Sequence, residues 1–229
     1  MELNMKKLVM MALAALLAMP CFAQKEPVYT SVSGKAMFDV FNHVGFGYNA
    51  TKSADFKPGF ASDIFLNVLK VGVYPVECLG LELGVDLEFN DFTTKQSAFA
   101  LVDNKIHAID FDALGLGHGF DRKRSDFFVF GLGAPVLVKG IFGKFQLGAG
   151  AEGFWNITGS TSAFLRQGNR DVNYTERKAK VNPFSYAIVG TLSYNAFGLF
   201  VKYYPKSSRL LPEGSVDLSY TTIGIAIGL

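Results

Sequence analysis

Residues 80–91, with the sequence GLELGVDLEFND, alternate between apolar and polar positions along almost their whole length. The odd-numbered residues from 81 to 89 are Leu, Val or Phe, and the even-numbered ones are Glu, Asp or Gly. Because a strand points successive side chains to opposite faces, this segment predicts a strand with one apolar and one polar face. Its length is close to the about 9–11 tilted residues that cross a bilayer, whereas strands in soluble proteins average about 5–6 residues.

The same alternation recurs along the chain and predicts eight strands in a single domain, residues 24–229. Their approximate ranges are 36–48, 64–75, 80–91, 126–138, 143–157, 183–194, 198–205 and 216–229. Three connections are short (76–79, 139–142 and 195–197), and they alternate with long ones (49–63, 92–125, 159–182 and 206–215). Short periplasmic turns that alternate with long outer loops are typical of barrels in the outer membrane. We therefore predict an all-β fold, an eight-stranded antiparallel up-and-down transmembrane β-barrel.

Residues 1–23 predict a cleaved signal peptide and export to the bacterial outer membrane. Lys6 and Lys7 precede a short apolar run at 8–19, and Cys21 and Ala23 place small residues at the −3 and −1 positions of a cleavage site. The run is shorter than the about 17–25 residues of a membrane-spanning helix. The alternative is lipidation of Cys21, which Pro20 disfavours because lipoprotein processing requires Gly, Ala or Ser at that position.

The composition and the motifs argue against nucleic acid, a cofactor and catalysis. Loss of residues 1–23 removes two basic residues and one acidic residue and leaves a net charge of +1, too little to steer a polyanion. A GxGxxG string at 148–153 lies inside a predicted strand with no helix after it, so it does not predict a dinucleotide site. Neither a calcium-loop spacing nor a serine elbow is present. We therefore expect no enzyme activity, no cofactor and no bound metal.

The polar faces of the strands predict a network of charges in the barrel interior. The lumen of an eight-stranded barrel is only wide enough for side chains to fill, and charges away from water need partners. One strand register would set Lys70 opposite Asp86. The alternative is that these residues line an ion path. The predicted lumen residues are Lys70, Glu82, Asp86, Glu88, Lys144, Glu152 and Lys202.

Two of the long connections carry basic residues close to the predicted outer rim. We expect Arg122, Lys123 and Arg124 in one, and Arg177 and Lys178 in the other, to contact lipopolysaccharide phosphates, because Arg matches phosphate geometry. The alternative is a solvated loop with internal salt bridges. Apolar residues within 99–109 also predict that the 92–125 connection continues as strand beyond the membrane.

Aromatic residues fall where the two membrane interfaces should lie, as aromatic girdles of outer-membrane barrels do. The predicted girdle residues are Phe128, Trp155, Phe184 and Tyr203 near the outer rim, and Phe145 and Tyr194 near the inner rim.

The signal ending Pro20-Cys21-Phe22-Ala23-Gln24, the short turns and the terminal Ile223-x-Ile225-x-Ile227-x-Leu229 resemble the small porin-like outer-membrane β-barrels of the OmpA/OmpX type. The resemblance covers about residues 25–229, although many such barrels end in Phe. It implies a non-enzymatic protein that is structural or binds surface ligands through its outer loops. The alternatives are a narrow porin-like channel and a lipid-modifying barrel enzyme. The expected partners are outer-membrane lipid, lipopolysaccharide and an unidentified extracellular or periplasmic protein.

Overall fold

The computed structural model describes residues 30–31, 35–53, 55, 57–76, 78–115 and 119–228. The predicted signal peptide, residues 1–23, lies outside the described residues. None of the described residues belongs to a helix long and apolar enough to cross a membrane. The described strands are β1 (Thr30–Ser31), β2 (Lys35–Val40), β3 (His43–Lys52), β4 (Pro58–Val76), β5 (Leu79–Thr94), β6 (Ser97–Val102), β7 (Lys105–Asp110), β8 (Arg122–Phe142), β9 (Phe145–Gln167), β10 (Arg170–Ala179), β11 (Phe184–Tyr194), β12 (Phe197–Tyr203) and β13 (Ser219–Gly228).

Eight antiparallel strands form a closed barrel wall. Around the wall each strand pairs with the next in the order β3, β4, β5, β8, β9, β11, β12 and β13. The wall closes because β13 pairs with β3, with Ile223 opposite Tyr48. The prediction of an all-β, eight-stranded antiparallel up-and-down transmembrane β-barrel is confirmed.

The first wall strand is broken in two, whereas the sequence predicted one strand over 36–48. Both β2 and β3 pair with β4, β2 with Asp39 opposite Lys70 and β3 with Val44 opposite Leu66. Between them Phe41 adopts a left-handed φ of 53°, and its N–H donates to the carbonyl of Val68 at 3.1 Å. Such a kink needs an extra residue rather than a change in hydrophobic pattern, so side-chain alternation does not reveal it.

The predicted connections at 139–142 and 159–182 differ from the structure. The turn predicted at 139–142 lies instead at Gly143 and Lys144, because β8 continues to Phe142 and Gly143 takes a φ of 62°. At the other end of the barrel, β8 and β9 extend beyond the wall and continue into β10, which the sequence assigned to the 159–182 loop. We call the end with short turns the inner end and the opposite end the outer end.

At the outer end β8, β9 and β10 form an antiparallel sheet, with β5 still paired to β8 as far as Thr94 opposite Ser125, and a hairpin covers one side. The outer sheet consists of residues 122–130 of β8, 158–167 of β9 and 170–179 of β10. The β6–β7 hairpin lies within the predicted 92–125 loop, pairs only internally and packs against β8 and β9. The prediction of further strand in this loop is therefore confirmed, but the strands fold back over the barrel.

The lipid-facing and lumen-facing sides of β5 follow the predicted alternation. Leu83 is 47% exposed, whereas the neighbouring Glu82 is only 3% exposed. Because an isolated barrel exposes its lipid face, apolar exposure marks the membrane belt. Of the predicted girdle residues, Phe128 is half-buried, and the exposed ones are Phe145, Trp155, Phe184, Tyr194 and Tyr203.

An arginine on the lipid face near the middle of the belt should destabilise the folded barrel. We expect Val85→Arg to lower the free energy of unfolding by about 2–4 kcal/mol, because a charge at mid-membrane is costly, and Val85→Asn to have a smaller effect. Urea titrations of the protein folded in lipid vesicles measure both. Val102→Arg is the matched control, since Val102 lies exposed at the end of β6 beyond the barrel. Equal stability of Val85→Arg and the control would show that Val85 does not face lipid.

Candidate functional sites in the lumen and at the outer end

A buried lysine lies at the centre of the barrel among carboxylates from three other strands. The ammonium of Lys202 on β12 contacts Glu88 on β5, lies 3.0 Å from Oε2 of Glu152 on β9, and lies 3.9 Å from Oδ2 of Asp63 on β4. The rings of Phe65 and Phe154 also lie beneath it, with their centroids 4.4 Å and 5.4 Å from Nζ. These contacts join opposite sides of the wall and close the bore at this level.

Negative charge exceeds positive charge around Lys202. Asp86, Glu88 and Glu152 bring carboxylate oxygens within 4.8 Å of one another, and Asn67 donates a hydrogen bond to Asp86. Both oxygens of Asp63 and Oε1 of Glu152 accept no hydrogen bond. We call Asp63, Asp86, Glu88, Glu152 and Lys202 the central cluster. Its single ammonium contacts three of the four buried carboxylates, so the cluster depends on Lys202.

A second group of charges lies closer to the inner end. Glu82 contacts the ammonium of Lys139 at 2.8 Å and accepts a hydrogen bond from the hydroxyl of Tyr74. Lys139 is absent from the predicted lumen residues because residues 139–142 were predicted to form a turn. With β8 extended to Phe142, Lys139 has the same parity as the buried Leu137, and this parity is the pattern that predicts an inward position.

One predicted lumen residue, Lys144, and one predicted register, Lys70 opposite Asp86, are wrong, whereas Lys70 itself is partly buried among the other lumen charges. Lys144 is exposed in the inner turn rather than in the lumen, because the strand begins only at Phe145. Lys70 lies opposite Gly84 instead of Asp86, because register shifts between Asn67 and Leu69 displace the β4–β5 pairing. The partner opposite Asp86 is Asn67.

The β6–β7 hairpin and residues 204–218 form a cap over the outer end of the lumen. Ile106 is fully buried, and its carbonyl accepts a hydrogen bond from the N–H of Val216 at 2.7 Å. The side chain of Asn182 donates to the carbonyls of Arg209 and Leu211 at 2.7 Å and 2.9 Å. The apolar residues buried in and beneath the cap include Phe92, Phe99, Phe127, Tyr204, Leu210, Leu211, Val216 and Tyr220. Burial of this many apolar groups holds the cap in place.

Aromatic rings connect the cap to the central cluster. Tyr220 packs against Phe92 and Tyr204, with ring centroids 4.9 Å and 4.1 Å apart. Tyr204 in turn stacks on Phe154 at 5.4 Å, and Phe154 is one of the rings beneath Lys202. Side chains therefore fill the lumen from the cap down to Lys202.

The described members of the predicted basic clusters have acidic partners. Lys123 lies 3.7 Å from Asp112, and Nε of Arg124 lies 2.6 Å from Oδ1 of Asp126. This is the arrangement that the salt-bridged alternative predicts, and phosphate contact at these residues stays a prediction. The side chains of Arg122, Arg177 and Lys178 lie outside the described residues.

The end of the β9–β10 hairpin carries an exposed bidentate ion pair. Arg166 donates two hydrogen bonds to Asp171, from Nε at 2.7 Å and from Nη2 at 2.9 Å. The hydrogen bond from Arg166 lowers the pKa of the Asp171 carboxyl, and the same contact raises the pKa of Arg166. The pair fixes the register of the two strands next to the turn at Gly168.

No protein-family model and no curated protein matches the sequence. Among solved structures, the chain resembles Ail, the attachment invasion locus protein of Yersinia pestis, in complex with the heparin analogue sucrose octasulfate. The TM-score is 0.39, with 10% identity over 86% of this chain and 99% of that one. Another Ail structure gives 0.34, with 14% identity over 86% of this chain and all (100%) of that one. Neisserial surface protein A gives 0.34, with 11% identity over 82% and 96%. These values describe a distant likeness of overall architecture.

Replacement of Lys202 should destabilise the barrel more than replacement of one carboxylate of the central cluster. We expect Lys202→Met to lower the free energy of unfolding by about 3–5 kcal/mol, because it leaves buried carboxylates without a counter-charge. Asp63→Asn is the matched control and should cost little or increase stability, because it removes a carboxylate that accepts no hydrogen bond. Urea unfolding in vesicles, followed by Trp155 fluorescence, measures both. A larger cost for Asp63→Asn than for Lys202→Met would contradict this account of the cluster.

Proposed function

We propose that this chain is a non-enzymatic outer-membrane protein whose barrel anchors a binding surface at the cell exterior. The observation that carries the proposal is the filled lumen. The cap, the stacked rings of Tyr220, Tyr204 and Phe154, and the central cluster occupy the path that a solute would take. A barrel of eight strands has only enough interior for side chains. What the fold offers to the outside is therefore the outer sheet.

The outer sheet ends in a strand suited to pairing with an extended peptide. Among the described strands, β10 pairs with β9 alone, so its other edge presents backbone N–H and C=O groups. Tyr174 on β10 is 62% exposed, and Val172 is exposed as well. Open strand edges pair with other chains, and adjacent exposed side chains then provide specificity. A protein segment in extended conformation is the partner that this edge fits best.

The proposed location is the bacterial outer membrane, with the short turns in the periplasm and the outer sheet at the cell surface. The apolar belt, the length alternation of the connections and the predicted signal peptide at 1–23 support it. In this orientation the basic residues at 122–124 and 177–178 come close to lipopolysaccharide. A basic side chain among them that leaves its acidic partner would then contact a lipopolysaccharide phosphate.

Purified protein in planar lipid bilayers should give no steady ionic current above that of the lipid alone, because side chains fill the bore. Single-channel recordings at both voltage polarities measure the current, and a general porin added to the same membrane is the positive control. Discrete and reproducible conductance steps would instead support the alternative of a narrow channel.

Trypsin added to intact cells should cut the protein within the β9–β10 hairpin. Arg166 and Arg170 flank the exposed turn of that hairpin, whereas Lys139 and Lys144 lie at the inner end. Mass spectrometry of the released peptides identifies the sites, and a variant with both Arg166→Gln and Arg170→Gln should lose this cleavage. Cutting at the inner turns of intact cells would reverse the proposed orientation.

A further inference from the structure

Near the outer rim the barrel wall is interrupted where β9 changes its partner. β9 pairs with β11 as far as Trp155, which lies opposite Phe184, and with β10 only from Gly159, which lies opposite Ala179. On its other side β9 stays paired with β8, but the register shifts by one residue between Asn156 and Thr158. A bulge of this kind bends a strand and ends its pairing. Residues 156–158 thus border a gap in the ladder.

The gap is a notch whose two sides are joined through Asn156. The N–H of Asn156 donates to the carbonyl of Pro183 at 2.9 Å, and its side chain donates to the carbonyl of Asn182 at 2.9 Å. At Gly159 an added Cβ would lie 2.7 Å from Val181 and 2.9 Å from the carbonyl of Ala179, so only glycine leaves the back of the notch open. The notch is a groove of about 490 Å³ that is open to the outside, lined by residues 155–159, 179–181 and 183.

The chemistry of the notch changes from apolar to cationic across the rim. Trp155 is 55% exposed and Ile157 is similarly exposed, and Trp155 belongs to the lipid-facing side of β9. Lys180, beyond the end of β10, provides an exposed ammonium on the opposite lip. Because its lower lip is part of the membrane belt, the molecules that contact it are lipids. An apolar lower lip beneath a cation matches a lipid with an acyl chain and an anionic headgroup.

We propose that this notch is a binding site for one outer-leaflet lipid, with its anionic headgroup at Lys180 and its acyl chain against Trp155 and Ile157. The proposal rests on the proposed outer-membrane location and assigns a specific contact to a lipid partner there. The Trp155 side chain lies at the membrane interface, as aromatic residues often do, and there it contacts the part of the acyl chain nearest the headgroup. The lysine selects lipids with negative headgroups.

The single tryptophan of the chain, Trp155, reports directly on lipid at the notch. Brominated acyl chains quench tryptophan on contact, so the protein is folded into phosphatidylcholine vesicles with a small fraction of brominated lipid. We expect brominated phosphatidylglycerol to quench several-fold more effectively than brominated phosphatidylcholine at the same fraction. Lys180→Glu should abolish that preference, whereas Lys206→Glu, the same charge change in an exposed outer segment, should keep it. Thr158→Phe, which fills the notch from an exposed position, should reduce quenching by the anionic lipid.

The possible outcomes separate this inference from the proposed function. Equal quenching by the two lipids, or a preference that survives Lys180→Glu, overturns the lipid site while the barrel remains in the bilayer. Loss of the preference on addition of inorganic phosphate also overturns it, because the notch then recognises a free anion. If no brominated lipid quenches Trp155, the protein is not in the membrane and the proposed location fails. Unchanged migration of the unboiled variants in gels shows that each is folded.

Discussion

Within hydrocarbon, every backbone N–H and C=O group needs a partner inside the protein, and the pairing of β13 with β3 meets that requirement for this chain. Once the wall is closed, the period of two along each strand divides the side chains into a lipid face and a lumen face. The apolar belt and the buried charges are therefore two results of one constraint. The notch is the place where the ladder opens, and it lies at the rim, where polar groups are tolerated.

Closure with eight strands also makes the interior narrow, and the interior then has to be filled. Lys202 contacts carboxylates from three strands and lies over two phenylalanine rings, so one side chain connects most of the circumference. Above it, aromatic rings and the cap replace charge with apolar packing. The lumen is thus polar at its centre and apolar at its outer end, where the cap packs beside the outer sheet.

Side-chain alternation predicted the barrel wall well, because the face of a strand that a side chain occupies follows from the sequence of that strand alone. It placed Leu83 towards lipid and Glu82, Glu88, Glu152 and Lys202 towards the lumen from single strands. It could not place Lys139 or Lys144, since both depend on where a turn begins. It also missed the cap and the notch, because the hydrogen bond between Val216 and Ile106 and the change of partner at Trp155 are contacts between distant parts of the sequence.

The strands that close the wall come from opposite ends of the chain, with Gly228 opposite His43. Contacts between residues so far apart in sequence form slowly, because ordering the intervening chain precedes any gain from the pairing. Until β13 pairs with β3, the open sheet has two unpaired edge strands that can pair with other polypeptides. A chain without β13 would leave β12 and β3 as unpaired edge strands and would therefore be prone to aggregate.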